Sequence, residues 1–182
     1  LCLPELCITG YGSEDLFLSY WYPKKALEQL HLLIPYTKGI TVIVGLPIRI
    51  EEKVFNTVAI INDGDLVGFV PKQFMAIDGV HYEFRWFTPW LPNELITFDF
   101  FGKKVPFGDQ IFTHKNISYG FEICEDAWRG KVRPGYRLFE RKVDLIFNPS
   151  ASHFAMGKTL ERKELIENSS QIFDCSIVIS IY

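Results

Sequence analysis

The stretch Tyr119-Gly120-Phe121-Glu122-Ile123-Cys124-Glu125-Asp126-Ala127-Trp128 places a thiol where an extended apolar run gives way to charged residues. Residues 117–123 have the composition of a buried strand, and the two acidic residues after Cys124 suit a first helical turn, where they face backbone N–H groups. Cys124 is therefore predicted to lie at an abrupt strand-to-turn junction, a geometry that projects a nucleophile out of a sheet. Taken alone, the pattern also fits a buried structural cysteine.

Two further strand ends carry a charged residue. Glu5 follows the short apolar segment 1–4, and Lys72 follows the strand-like segment 67–71. If the three strands are neighbours in one sheet, Glu5, Lys72 and Cys124 meet at its edge as base, cation and nucleophile. Singly, Lys72 could cap a hairpin in solvent and Glu5 could cap a turn. The joint occurrence of the three favours a catalytic site.

The residues around these three positions carry a family resemblance. Pro4-Glu5-Leu6, Pro71-Lys72 and Ile123-Cys124-Glu125-Asp126 resemble, in the same chain order, the Glu-Lys-Cys motifs of the nitrilase superfamily of carbon–nitrogen hydrolases. Residues 5–11 and the stretch Gly79-Val80-His81-Tyr82-Glu83-Phe84-Arg85-Trp86-Phe87 are similar to the glutamine amidotransferase domain of NAD synthetases. The resemblance covers nearly the whole chain.

Alternating helix and strand signals in the second half predict an α/β fold with a mixed sheet. Helices are predicted at 13–20, 24–37, 135–142 and 158–173, and strands at 40–46, 54–61, 66–70, 95–101, 105–107, 110–113, 117–123, 145–147 and 175–181. The resemblance implies a nitrilase-like four-layer αββα sandwich. Because both ends lie in strand-like segments, we interpret residues 1–182 as one carbon–nitrogen hydrolase domain that is truncated at both ends.

Composition limits the classes of partner. The 182 residues are 48% hydrophobic with a formal net charge of −3, which argues against a nucleic-acid or anionic-membrane surface and favours a small-molecule substrate. No apolar run approaches the roughly 20 residues of a membrane span. The four cysteines form no Cys-x-x-Cys pair and do not cluster with histidines, so no metal site is expected. Free thiols and a large core point to a reducing, cytoplasmic location.

The three strand-end residues could together hydrolyse an amide. Cys124 would attack the carbonyl carbon, and Glu5 would move the protons. The acidic neighbours of Cys124 at 122, 125 and 126 would raise its pKa, so Lys72 is needed to offset them. Lys72 and the backbone N–H after Cys124 would hold the oxyanion. The resemblance places a second carboxylate of this site on Glu83, in the aromatic loop 73–93, which we expect to be functional because of its length.

The resemblance also implies a substrate pocket. It places Tyr11, Trp128, Ser152 and Lys158 around bound glutamine. The aromatic residues could instead be core residues, and Ser152 a turn hydroxyl. Lys158 stands where some family members have Arg, so it would meet the glutamine α-carboxylate as a point charge rather than as a bidentate fork.

The function expected from the resemblance is a glutaminase that supplies ammonia to an NAD synthetase domain in the same parent chain. No Ser-Gly-Gly type ATP-binding loop occurs in these residues, so ATP and Mg²⁺ are expected only for that other domain and no cofactor for this one. A homo-oligomer is expected from the family. The alternatives are a free-standing amidase, nitrilase or carbamoylase, and a non-catalytic assembly module with the same fold.

Overall fold

The computed structural model describes residues 1–77, 81–153 and 155–181. Gly79 and Val80 of the aromatic stretch, and Tyr182 at the chain end, lie outside the described residues. The strands are β1 (Thr41–Ile50), β2 (Lys53–Asn62), β3 (Asp65–Pro71), β4 (Leu95–Phe100), β5 (Lys103–Gly108), β6 (Phe112–His114), β7 (Ile117–Phe121), β8 (Leu145–Pro149) and β9 (Ser176–Ser180). The α-helices are α1 (Trp21–Leu33), α2 (Pro134–Glu140) and α3 (Lys158–Phe173). Short 3-10 segments span Tyr11–Leu18, Ile34–Thr37, Glu83–Arg85, Cys124–Trp128 and Gly130–Val132.

The described strands form two mixed sheets. The first has the order β1-β2-β3-β5-β4, with antiparallel pairs except for the parallel contact of β3 with β5. The second has the order β6-β7-β8-β9, where β7, β8 and β9 run parallel. The Asn62-Asp63-Gly64 turn joins β2 to β3 as a hairpin, as the sequence predicts.

The two sheets pack face to face between helices. Ile43, Val58, Ile60 and Val70 of the first sheet share one buried cluster with Phe112, Tyr119 and Phe121 of the second. Ala26 and Leu30 of α1 cover the opposite face of the first sheet. Leu138 of α2 and Phe173 of α3 cover the outer face of the second around Ile146. These layers confirm the αββα sandwich. A sheet buried on both faces explains why β1 and β2 are apolar almost throughout.

Several predicted boundaries are displaced for local reasons. The helix predicted at 24–37 begins at Trp21 and gives way to a 3-10 turn at Ile34, because Pro35 provides no N–H for a helical bond. The helix predicted at 13–20 is a run of 3-10 turns over Tyr11–Leu18, broken where Glu14 adopts φ +49°. The prediction of α3 at 158–173 is confirmed.

The segment before the first described strand lies against β1. Cys2 forms a parallel bridge with Ile43, and the N–H groups of Leu3 and Ile8 donate to the carbonyls of Ile43 and Gly45. A Cβ atom at Gly45 would stand 2.3 Å from the backbone nitrogen of Leu6 and 2.7 Å from the carbonyl oxygen of Pro4. Only glycine therefore lets this segment, which carries Glu5, lie so close to the strand.

No helix in the described ranges is both long enough and apolar enough to cross a membrane.

Candidate active site

Cys124 begins a 3-10 turn just beyond the end of β7. Its backbone has φ +46°, in the left-handed region that a residue with a side chain seldom adopts. Such residues are concentrated at functional sites, because the surrounding structure must hold them in place. The predicted strand-to-turn junction is confirmed, although the strand ends at Phe121 rather than at Ile123.

The carboxyl group of Asp126 holds this turn on both sides. Its Oδ2 accepts a hydrogen bond from the N–H of Ile123, at 2.8 Å. Its Oδ1 accepts from the N–H groups of Gln73 and Phe74, at 3.1 and 2.7 Å. Burial raises the pKa of Asp126 to about 8, against the opposing effect of Lys72 and of the N–H donors. One side chain thus joins the residue before Cys124 to the residues that follow Lys72.

The site draws on both sheets, so the prediction that three neighbouring strands of one sheet supply it is wrong. Lys72 follows β3, and Glu5 follows the segment that bridges to β1, both in the first sheet. Cys124 follows β7 in the second sheet. The sequence pattern marked the strand ends, but it contained no information on which strands share a sheet.

Glu5, Lys72 and Glu83 form a buried ionic cluster. The Nζ atom of Lys72 donates to Oε1 of Glu5 at 2.7 Å and to Oε1 of Glu83 at 2.9 Å, and it lies 2.8 Å from Oε2 of Glu83. All three side chains are fully buried. Burial alone would lower the pKa of Lys72, but the two carboxylates outweigh it and raise that pKa well above its usual value. The structure thus brings Glu5 and Lys72 together with Glu83, the carboxylate that the resemblance placed near them.

Cys124 lies beside this cluster. Burial raises the pKa of its thiol, and the charges of Glu5 and Glu83 raise it further, whereas Lys72 lowers it. The backbone N–H of Ala151 donates to Oε2 of Glu5 at 2.9 Å, and the Ala151 backbone also lowers the pKa of the Cys124 thiol, which favours the thiolate. The Ala151 backbone therefore contacts the carboxylate and acts on the thiol.

Among the carboxylates, Glu5 and Glu83 raise the Cys124 pKa most, and both are distant from Cys124 in the sequence. Glu122 is turned away into a buried pair with Arg133, and its Oε1 also accepts from the N–H of Gly135 at 2.6 Å. Glu125 forms an ion pair with Arg129 at 2.8 Å. Proximity along the chain therefore did not identify the two carboxylates that act most strongly on the thiol.

A cleft of about 120 Å³ opens over Cys124. Its walls are formed by Ala76, His81, Glu125, Trp128, Ser152, His153 and Lys158. Three of the four predicted pocket residues, Trp128, Ser152 and Lys158, thus line it. The fourth, Tyr11, stands behind His81, with its hydroxyl oxygen 3.4 Å from Nδ1 of that histidine.

Two of the cleft residues are held by neighbours within the chain. Lys158 lies 4.5 Å above the ring of Trp128 and pairs with Glu161 at 2.9 Å. The hydroxyl of Ser152 accepts a hydrogen bond from Arg162 at 2.7 Å. The cationic Nζ of Lys158 is therefore placed at the cleft wall with a carboxylate partner already beside it.

The aromatic loop 73–93 contributes one catalytic candidate, Glu83. Glu83 lies in the 3-10 turn Glu83–Arg85, and its Oε2 accepts from the N–H of Ala76. Arg85 makes a bidentate pair with Asp15, at 2.6 and 2.7 Å, which ties the turn to the N-terminal region. Phe87 and Trp90 are core residues, whereas Tyr82 and Phe84 are exposed.

Sequence reasoning missed three contributors to the site. They are Asn56, Asp126 and the N–H of Ala151. The amide of Asn56 and the N–H of Ala151 donate to Glu5, and the carboxyl group of Asp126 accepts from the N–H of Gln73. Asn56 is a buried amide within the mostly apolar strand β2, and this signal could have marked it as functional. In the described part of the chain, no three His, Cys, Asp or Glu side chains are grouped to hold a metal ion.

Comparison with known proteins places the chain in a family. The family model for carbon-nitrogen hydrolases matches residues 1–172. The glutamine-dependent NAD(+) synthetase of Thermotoga maritima is 30% identical over 99% of this chain and 28% of its own length. That of Mus musculus is 32% identical over 90% of this chain and 24% of its own length. The chain therefore spans about a quarter of the length of these curated relatives.

Solved structures agree with that placement. The crystal structure of a glutamine-dependent NAD(+) synthetase from Cytophaga hutchinsonii matches all of this chain with a TM-score of 0.91 and 45% identity, over 29% of its own length. An amidase from Nesterenkonia sp. shares the fold, with a TM-score of 0.75 at 16% identity over all of this chain and 62% of its own. The chain belongs to the carbon-nitrogen hydrolase family.

Proposed function

We propose that this chain is the glutaminase domain of a glutamine-dependent NAD synthetase. The observation that carries the proposal is the buried Glu5-Lys72-Glu83 cluster beside a cysteine in a strained turn, at the floor of a cleft. The relatives that match the chain are named for a glutamine-dependent reaction, and their greater length leaves room for a synthetase domain.

In the first half of the reaction, the Cys124 sulfur attacks the side-chain carbonyl carbon of glutamine while Glu5 accepts the thiol proton. Because the thiol pKa is raised, the nucleophile is formed by this proton transfer rather than stored as a thiolate. The oxyanion develops beside Lys72 and the backbone N–H after Cys124. The C–N bond then breaks, the nitrogen takes the proton from Glu5, and ammonia leaves a thioester on Cys124.

In the second half, Glu5 removes a proton from water as the water attacks the thioester carbonyl. The C–S bond breaks, the sulfur regains a proton, and glutamate is released. Glu83 supports both halves by sharing the Lys72 ammonium and by keeping a second negative charge near Glu5. Trp128, Ser152 and Lys158 bind the substrate, with Lys158 placed for the α-carboxylate once it exchanges its Glu161 partner.

The released ammonia serves a synthetase domain in the same parent chain, which amidates the adenylated nicotinate dinucleotide and is where ATP and Mg²⁺ belong. Replacing Cys124 by Ala in the full-length protein is expected to abolish NAD formation from glutamine while leaving NAD formation from ammonia intact. Equal loss of both activities would refute the assignment of Cys124. A glutamine-analogue electrophile that adds no mass at Cys124 would favour a non-catalytic module.

We further propose a cytoplasmic homo-oligomer. The unpaired state of Cys2, Cys7, Cys124 and Cys175 fits a reducing compartment. Light scattering of the purified full-length protein tests the oligomeric state, and fractionation of its native cells tests the location.

A further inference from the structure

Asn56 is a buried amide at the centre of the ionic cluster. It lies on β2, with 1% of its surface exposed. Its Nδ2 donates to Oε1 of Glu5 at 2.7 Å and to Oε1 of Glu83 at 3.2 Å. Its backbone carbonyl accepts from the N–H of Lys72 at 2.8 Å. A single residue therefore contacts both carboxylates and the residue that carries the ammonium.

The side-chain amide of Asn56 is oriented with its NH₂ group toward the two carboxylates. Oδ1 of Asn56 is buried and accepts no hydrogen bond from residues 1–77, 81–153 or 155–181. An unsatisfied buried acceptor is unfavourable. The opposite orientation would turn the carbonyl oxygen toward two carboxylates and lose both hydrogen bonds. The observed orientation is thus the one in which the NH₂ group donates to both Glu5 and Glu83.

The two acids need such a donor because their charges are not balanced. Glu5 and Glu83 are fully buried around one Lys72 ammonium, so two negative charges face one positive charge. Two close carboxylates disfavour each other's ionisation, and hydrogen bonds to the charged form favour it. We propose that Asn56 is a positioning residue for the hydrolysis, holding Glu5 and Glu83 together in the ionised state in which Glu5 can accept the thiol proton.

The groups that titrate or carry charge around this centre come from several segments of the chain. They are Glu5, Tyr11, Lys72, Glu83, Cys124 and Asp126. Of these, Glu5 and Glu83 hydrogen-bond the amide of Asn56 directly. Loss of the amide is therefore expected to act on the acidic side of the pH profile, where a carboxylate gains its proton.

The first test is the pH profile of ammonia release from glutamine by the full-length protein. In Asn56→Ala, the acidic limb of kcat/KM is expected to move up by about one pH unit, with about a tenfold loss on that limb. KM should change less than about twofold, because Asn56 is not among the residues that line the cleft. Thr57→Val is the matched control. The hydroxyl of this neighbouring buried residue donates to the carbonyl of Phe55 and not to the two carboxylates in the described part of the chain, so the pH profile of Thr57→Val should stay at the wild-type position.

A second measurement does not depend on the substrate. Hydrogen exchange of the β2 amides in the full-length protein should show that Asn56→Ala loses more protection near pH 7 than near pH 4, because the lost bonds favour ionised carboxylates and an ordinary carboxyl group gains its proton at about pH 4. Thr57→Val should lose the same protection at both pH values. If Asn56→Ala does not fold, Asn56→Ser also lacks an amide that bridges both acids and must show the same shifts.

The two tests separate this inference from the proposed function on which it rests. If the wild-type protein releases no ammonia from glutamine, the glutaminase assignment fails, while the exchange comparison still decides the role of Asn56. An unmoved acidic limb in an active variant, or a loss of protection that is independent of pH, would overturn the inference.

Discussion

The carboxyl group of Asp126 accepts a hydrogen bond from the backbone N–H of Phe74 at 2.7 Å, across the boundary between the two sheets. The same side chain accepts from the N–H of Ile123, which directly precedes Cys124, the proposed nucleophile. Phe74 lies two residues after Lys72. Asp126 therefore sets the position of the thiol relative to the ammonium, although it lies outside the group of residues that exchange protons.

Replacing Asp126 by Asn should weaken this link. An amide has one acceptor oxygen, so its NH₂ group would oppose either Ile123 or the N–H pair at Gln73 and Phe74. We expect a loss of about 1–3 kcal/mol in the free energy of unfolding, together with a fall in kcat of the order of 100-fold from misplacement of the thiol. Chemical denaturation and steady-state kinetics measure the two effects.

Asp144→Asn is the control for that variant. Asp144 also accepts from a backbone N–H, that of Ser118 at 2.7 Å, but it lies at the start of β8, away from the cleft. The Asp144→Asn variant should have a slightly lower free energy of unfolding and the kcat of the wild-type protein. A similar kcat in Asp126→Asn and Asp144→Asn would contradict the positioning role of Asp126.

Removing the ammonium should be costly for the fold. Lys72→Met leaves two buried carboxylates without their cation, and breaking a buried ion pair in this way costs about 3–5 kcal/mol. Adding Glu83→Gln should restore part of that loss, because Glu5 is then the one carboxylate that was paired with Lys72. Denaturation of the two single variants and the double variant gives the coupling energy. Strict additivity would show that the lysine and Glu83 do not stabilise each other.

The pKa of the Cys124 thiol should depend on the charges around it. Because burial, Glu5 and Glu83 raise the pKa of Cys124, the thiol is protonated at neutral pH and thiolate forms only as the pH rises toward that higher value. Glu5→Gln removes one raising charge, so the rise in iodoacetamide labelling of the Cys124 peptide should shift to lower pH while glutamine hydrolysis is lost. A labelling curve unchanged by Glu5→Gln would contradict this electrostatic account. Cys175, outside the cleft, serves as the internal reference.

Gly45→Ala should displace Glu5, the proposed base. The added methyl group would meet the backbone of Pro4 and Leu6 at 2.7 and 2.3 Å, so the segment that carries Glu5 must shift. Overpacking of this kind costs about 1–3 kcal/mol, and we expect at least a tenfold loss of glutamine hydrolysis. Gly12→Ala is the control, because a Cβ atom there has no described neighbour within 4 Å. Equal activity in the two variants would show that the Gly45 contact does not position Glu5.

The sequence was informative wherever a local pattern determines structure. The apolar runs of β1 and β2, the Asn-Asp-Gly hairpin and the helical spacing of α3 follow from short-range preferences, and each is confirmed. The partner carboxylates of Cys124 could not be obtained in this way, because they lie 119 and 41 residues before it in the chain. Two sheets could not be distinguished from one for the same reason. The family resemblance supplied that information.

The division of the site between two sheets has a consequence for how activity arises during folding. Segments that pack on or follow the first sheet carry Glu5, Lys72 and Glu83, whereas the turn that follows β7 in the second sheet carries Cys124. The proposed hydrolysis therefore requires the two sheets to be packed together through the buried cluster that contains Ile43 and Phe121. On this proposal, the appearance of hydrolysis during refolding would report the moment at which the two sheets join.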